Sequence, residues 1–372
     1  MKYYIIAGEA SGDLHGAGLI KQLRAIDPNA EIRFWGGDLM QAAGGTLVKH
    51  YRDLAFMGFA EVVANLRTIF RNLAFCKKDI AEFKPDALIF IDYPGFNMRI
   101  AEWAKNEGIP THYYISPQIW AWKENRIRAI RRDINHMYVI LPFEKDFYEK
   151  KHQFPVDFVG HPLLDVIANR PKTDRASFCL EHGLDERPII ALLPGSRKQE
   201  ISKMLSIMLS TVEKFHDHQF VIAGAPGQER WFYNKFLNAD VKLVMNQTYD
   251  LLSISDAALV TSGTATLETA LFNVPEVVCY KGSWLSYQIA RRVITLKYIS
   301  LVNLIMDEPV ITELIQNDLN PKKLEAELHK LFEPETRSKM LADFARLRSV
   351  LGNSGAAEKT AQLIFDRTKR AL

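Results

Sequence analysis

Four short stretches hold the side chains able to do chemistry. In Ile89-Phe90-Ile91-Asp92-Tyr93-Pro94-Gly95-Phe96-Asn97 an apolar run ends on a carboxylate, just before a Pro-Gly turn. A carboxylate at the exit of a buried strand is placed to take a proton from a bound hydroxyl. An Asp there can equally accept hydrogen bonds from turn amides, and both readings stand. Pro188–Arg197 passes from an apolar run through Pro194-Gly195-Ser196 to Arg197. A guanidinium at such a junction can hold a diphosphate through two parallel bonds, or it can sit in a salt bridge at a helix start. Ala257–Leu271 begins as a short apolar run, bends at Gly263 and continues with helical spacing at Ala265, Leu267, Ala270 and Leu271. The free amides of a helix's first turn, backed by its dipole, make a phosphate site. Thr264 is the expected N-cap. Glu268 stands four residues after Thr264, so it misses the capping-box spacing. Its carboxylate could take a ribose hydroxyl pair, or it could simply suit the dipole of an ordinary helix. The fourth stretch, Gly8-Glu9-Ala10-Ser11-Gly12-Asp13-Leu14-His15-Gly16, is a glycine-rich turn with Glu9, Ser11, Asp13 and His15 as its polar groups. Each of these fits a cap or surface role as well as a chemical one.

These residues need a scaffold that places them at strand ends. Tyr3–Ala7, Ile32–Trp35, Ala87–Ile91, Tyr113–Ile115 and Met137–Leu141 read as strands, with helical patterns between them. Such alternation gives a doubly wound parallel sheet, which binds ligands at the carboxyl ends of its strands. A connection from Pro155 to Pro171, centred on Gly160-His161-Pro162, leads into a second alternation. Its strands are Pro188–Leu193, Phe220–Ala223, Val241–Met245, Ala257–Val260 and Glu276–Tyr280. The expected organisation is therefore two Rossmann-like α/β domains, 1–165 and 166–350. The charged helical tail from Pro334 is long enough for its end, about 350–372, to return to the first domain.

The 372 residues carry a net charge of +3, with 48% apolar and 24% charged residues, which is a soluble globular composition with little pull towards nucleic acid. The three cysteines are far apart and suit a reducing compartment. The apolar start is too short for a signal peptide, and no run reaches the length of a membrane span. A cytoplasmic protein is expected. The glycines at 8, 12 and 16 do not make a dinucleotide fingerprint, and no Walker, G-x-S-x-G, H-E-x-x-H or Asp-x-Asp motif occurs. No cofactor and no metal are therefore expected, and a departing diphosphate would depend on helix amides and a guanidinium. Met57–Phe75 places Met57, Phe59, Val62, Val63, Leu66, Ile69 and Phe70 on one helical face, beside Arg67 and Arg71. That face could lie on an anionic membrane or pack on its own sheet. Trp120–Arg132 mixes tryptophans with cations and could suit a membrane interface, phosphate or nucleic acid.

The ordered set of motifs resembles the lipid-A-disaccharide synthase family. Gly8–Asp13, Met57-Gly58, Asp92-x-Pro94, Ser116-Pro117, Trp120-Ala121-Trp122, Pro142-Phe143-Glu144, Leu193–Arg197, Ser262–Ala265 with Glu268, and Ser300-Leu301-x-Asn303-Leu304 follow its order along the chain. The resemblance implies a GT-B glycosyltransferase, two Rossmann-like domains with an interdomain cleft. It implies an inverting transfer that joins UDP-2,3-diacylglucosamine to 2,3-diacylglucosamine 1-phosphate (lipid X), giving a β-1,6 disaccharide and UDP. By the same resemblance, Asp92 activates the acceptor hydroxyl and Arg197 lies by the donor diphosphate. Gly195, Ser196, Thr264, Ala265, Thr266, Glu268 and Asn303 line the nucleotide-sugar site, and Glu9, Ser11, Gly12 and Asp13 the acceptor side. Met57 to Phe70 meets acyl chains at the cytoplasmic face of the inner membrane, and a homodimer is allowed. Gly95 stands where many relatives carry a second aspartate. The alternative enzyme is another UDP-N-acetylglucosamine user of this fold, an epimerase or the peptidoglycan N-acetylglucosaminyltransferase. A non-enzymatic binding module built on Trp120–Arg132 is the other alternative.

Overall fold

The computed structural model describes residues 1–54, 66–282 and 297–371. The chain forms two compact units, one of Met1–Asp165 with Leu351–Leu372 and one of Val166–Val350.

The first unit is built on a seven-stranded sheet in the order β3-β2-β1-β4-β5-β6-β7. Its strands are β1 (Lys2–Ala7), β2 (Glu31–Gly36), β3 (Thr46–His50), β4 (Ala87–Ile91), β5 (Thr111–Tyr114), β6 (His136–Val139) and β7 (Asp157–Phe158). Every pairing is parallel. Central strands of a parallel sheet are covered on both faces, which explains the unbroken apolar runs of β1 and β4. The edge strands β3 and β7 are half-exposed and mixed in composition, and they are absent from the strands expected above.

A helix over Ala10–Ile26 lies against β1 through Gly12, where an added Cβ would come within 3.0 Å of the Ala7 side chain. The helix Leu66–Phe83 buries Leu73, Cys76 and Ile80 and is fixed to the sheet by a polar chain. Trp35 Nε1 donates to the Tyr4 hydroxyl at 2.9 Å, Tyr4 donates to Asp79 Oδ2 at 2.7 Å, and Arg33 Nε donates to the same oxygen at 2.9 Å. Buried polar groups joined this way specify one arrangement, since breaking any link leaves a buried donor or acceptor unpaired. The last helix, Ala356–Ala371, packs on Ala10–Ile26, with Ala357 beside Gly18. Asp165 caps it, accepting from the amides of Gly355 and Ala357.

The second unit has a six-stranded sheet in the order β10-β9-β8-β11-β12-β13. Its strands are β8 (Ile189–Leu193), β9 (Gln219–Gly224), β10 (Val241–Met245), β11 (Ala257–Thr261), β12 (Glu276–Tyr280) and β13 (Thr312–Ile315). These pairings are parallel too. Its core gathers Ile189, Ala191, Val221, Ala223, Ala258 and Val260 with helix residues Leu251 and Leu252. In each sheet strand order reverses once, between β1 and β4 in the first and between β8 and β11 in the second. Crevices at such reversals are where this architecture accepts ligands.

Candidate active site

At the reversal in the first sheet, the register pairs Ala7 with Ile91. The next residues, Gly8-Glu9 and Asp92-Tyr93, therefore leave the sheet on neighbouring strands, about 4.8 Å apart in the ladder. The Tyr93 ring lies over Gly8, where a Cβ would come within 2.3 Å of it, so only glycine fits. Asp92 and Tyr93 both have left-handed backbones, with φ of 43° and 51°. Non-glycine residues there cost about 1–3 kcal/mol each and persist only when their surroundings hold them. Here the Asp92 carbonyl accepts from the Tyr113 hydroxyl at 2.6 Å and from Asn97 Nδ2 at 2.6 Å. The strained turn is thus clamped from two elements, and the carboxylate is aimed by the backbone.

Burial, and then the negative charge of Glu9, push the Asp92 carboxyl up to about 7. Its own turn amide acts against this, and Glu144 adds to it. A carboxylate poised near neutrality is what a general base needs. Glu144 was given no role above, although its motif was visible. It is fully buried and accepts from Ser116 Oγ at 2.6 Å, Trp120 Nε1 at 3.1 Å, and the amides of Ile140 and Leu141 at 3.2 and 2.9 Å. The Ser116, Trp120 and Glu144 motifs are therefore one hydrogen-bonded cluster that fixes the loops after β5 and β6.

The other residues of the glycine-rich stretch Gly8–Gly16 separate. Glu9 is the N-cap residue of the helix Ala10–Ile26, without a side-chain cap bond, and Ser11 is exposed in that helix's first turn. Gly12 serves helix-to-strand packing. Asp13 is buried, and its carboxylate accepts from the amides of Gly37 at 2.8 Å, Met40 at 3.0 Å and Leu39 at 3.1 Å. It caps the short helix Asp38–Ala42, an engagement that gives it a structural job.

In the second unit the register pairs Leu193 with Val260, so two turns again leave the sheet side by side. In the first, Gly195 takes φ 103° and lies against Glu200, whose Oε2 accepts from the Ser196 amide at 3.3 Å. Arg197 is the N-cap residue of the helix Lys198–Met208 and is exposed. In the second turn, Gly263 takes φ 139° and is itself the N-cap residue of the helix Thr264–Leu271. Thr264 is thus the first helical residue and not the cap, because only glycine tolerates the backbone that starts this helix. Ala265 follows in that turn. The hydroxyl of Thr266 is not turned outward, and it donates to the Gly263 carbonyl at 2.9 Å. Glu268 is half-buried, which raises its carboxyl, and it accepts from the Tyr249 hydroxyl at 3.0 Å.

Asn303 is engaged within the fold. Its Nδ2 donates to the Ile311 carbonyl at 2.9 Å and to Glu313 Oε1 at 3.0 Å, and its Oδ1 accepts from the Ile311 amide at 3.0 Å. Both ends of the amide staple the helix Leu301–Met306 to the entry of β13, and the residue is buried. Of the apolar face expected around residue 60, Met57, Phe59, Val62 and Val63 lie outside the described residues. Leu66 begins the helix Leu66–Phe83. Ile69 packs on the core, whereas Phe70 is 61% exposed. Trp122 is also exposed, with Lys123 Nζ 4.0 Å from its ring centre. Among the described residues no group of acidic, His or Cys side chains could hold a metal ion, and no helix is long and apolar enough to cross a membrane.

Known proteins match both the fold and the sequence. The crystal structure of UDP-GlcNAc 2-epimerase from Neisseria meningitidis bound to UDP-GlcNAc superposes with a TM-score of 0.70 at 15% identity, over 98% of this chain and 100% of that one. The glycotransferase of kitacinnamycin does so with a TM-score of 0.66 at 15% identity, over 99% and 98%. At that identity the likeness is one of fold, the GT-B arrangement of two parallel-sheet α/β domains. In sequence, the chain is 41% identical to the lipid-A-disaccharide synthase of Syntrophus aciditrophicus over 99% of its own length and 98% of the relative's. The profile of the lipid-A-disaccharide synthetase family matches residues 3–365, and the chain belongs to that family.

Proposed function

We propose that the chain carries out its family's reaction, the glycosyl transfer that forms the lipid A disaccharide, with Asp92 as the general base. The donor is UDP-2,3-diacylglucosamine and the acceptor is lipid X. The acceptor's 6-hydroxyl oxygen attacks the anomeric carbon of the donor. The C1–O6 bond forms, the bond from C1 to the diphosphate oxygen breaks, and the hydroxyl proton passes to the Asp92 carboxylate. One displacement inverts the anomeric centre, which gives the β linkage. The electron pair of the broken bond leaves on UDP. The amides opening the helix Thr264–Leu271 and the Arg197 guanidinium receive that charge, and Gly195 and Ser196 shape the turn beside them. Glu268 takes the ribose hydroxyls.

The observation that carries this reading is Asp92, a clamped carboxylate at the sheet's reversal whose proton affinity burial lifts to about 7. Exposed Phe70, beside Arg67 and Arg71 on the helix Leu66–Phe83, suits contact with an anionic bilayer that presents both substrates at its cytoplasmic face. The test is incubation with both acylated substrates while UDP and disaccharide are followed together. Equal amounts of the two are expected. Consumption of unacylated UDP-N-acetylglucosamine with no disaccharide would instead favour the epimerase reading.

A further inference from the structure

The amino-terminal edge of the first unit's sheet carries a pocket that the transfer reaction does not use. Its volume is about 190 Å³, and its polar lining comes from Lys105, His112, Asn135, His136 and Arg367. Among the described residues no carboxylate lines it.

The hydrogen bonds behind this lining fix which polar atoms are left without a partner. The Arg367 guanidinium lies beside Tyr138, 5.5 Å from the centre of its ring. Among the described residues the buried Tyr138 hydroxyl has one hydrogen-bond partner, His112 Nδ1 at 2.8 Å, and an arginine cannot accept, so the phenol proton is directed to that nitrogen. With Nδ1 accepting, the neutral ring carries its proton on Nε2. That N–H is buried and has no acceptor among the described residues, in a side chain that is 0% exposed. Asn135 is fixed in the same sense. Its Oδ1 accepts from the Thr111 amide at 3.0 Å and from Thr111 Oγ at 2.9 Å, which leaves the NH₂ end. The Arg367 guanidinium is held by Asp157 at 2.6 Å, and Lys105 adds a second full charge at the rim. The pocket therefore offers donors and positive charge, and a buried N–H without a partner is costly to leave unfilled.

We propose that this pocket binds a phosphate dianion, free or as a terminal phosphate monoester. Phosphate is small enough, accepts from several directions and takes charge-assisted bonds from Lys and Arg. Burial lowers the proton affinity of both His112 and His136, and the Arg367 charge lowers it further. The site is separate from the reacting atoms. β5 runs from the pocket's edge to the Asp92 edge through four residues, roughly 10 Å at strand spacing.

The test adds inorganic phosphate to the full chain at constant ionic strength and follows the imidazole resonances by proton–nitrogen correlation. The His112 Nε2–H signal should move and saturate as a single site. Lys105→Gln, an exposed position with no structural bond to lose, should weaken binding about tenfold and leave transferase activity unchanged. A second arm uses phosphatidylcholine vesicles with and without phosphatidic acid. Displacement of phosphate by the phosphatidic acid vesicles alone identifies a lipid headgroup as the source, and no displacement identifies the free anion. A His112 signal that phosphate leaves unmoved, or affinity unchanged in Lys105→Gln, overturns the proposal.

Discussion

Asp92→Asn should lower the rate and raise the stability, and the second effect should depend on pH in a defined way. The wild-type carboxyl moves from 3.8 to about 7 on folding. Between those values the folded state holds a proton that the unfolded state has released, so wild-type stability falls as pH rises from about 4 to 7. Above that window the cost is complete. Three pH units correspond to about 4 kcal/mol, which the carboxyl's partial contact with solvent reduces to about 2. Asn cannot ionise, so the variant should exceed the wild type by about 2 kcal/mol at pH 8, by roughly a third of that at pH 5, and by nothing near pH 3. Native-state hydrogen exchange at the amides of β4 reads the first unit alone, which avoids treating two units as one transition. In the same preparations the variant should lose about 10²–10⁴ in turnover, because the hydroxyl proton has lost its acceptor. Wild-type turnover, or a stability change of the same size at every pH, would refute the reasoning.

Four further outcomes follow. Glu9→Gln removes the charge that helps hold the Asp92 proton, so the ionisation seen in kcat/KM should move to lower pH. Asp13→Ala should cost about 3–5 kcal/mol in urea denaturation, since three buried amides lose their acceptor, and Asp13→Asn should cost less because Oδ1 keeps two of them. If Asp13→Ala instead unfolds like the wild type but is inactive, the residue belongs to the chemistry. Arg197→Ala should weaken UDP binding by about 10–100-fold in calorimetry, as expected for a lost charge-assisted pair. Phe70→Asp should reduce sedimentation with anionic liposomes while the helix stays folded, because Leu73, Cys76 and Ile80 anchor its other face.

Central strands were legible because burial on both faces demands unbroken apolar sequence, as in Ile89-Phe90-Ile91 and Ala257–Val260. The edge strands were not. Thr46–His50 faces solvent in part and carries Lys49 and His50, so no apolar signature marks it. Asp92 could be singled out from the strand-then-Pro-Gly pattern, but its left-handed backbone and the clamp by Tyr113 and Asn97 arise only when distant strands meet. The same holds for Glu144, whose partners lie about 25 residues upstream in sequence. Thr264 was read as a cap because its hydroxyl suits that position, while the glycine before it takes the role through φ 139°. Asp13 and Asn303 show the opposite case. The family resemblance placed both near a ligand, and the hydrogen bonds shown for their side chains are made within the fold.

The most direct test of the account is the titration of one carboxyl carbon. In protein carrying ¹³C-labelled aspartate, the Asp92 signal is assigned by its loss in Asp92→Asn and followed against pH. The account predicts a midpoint near 7 that coincides with the ionisation controlling kcat/KM. A midpoint in the ordinary aspartate range, with activity still rising through neutrality, would contradict it, because some other group would then be taking the proton.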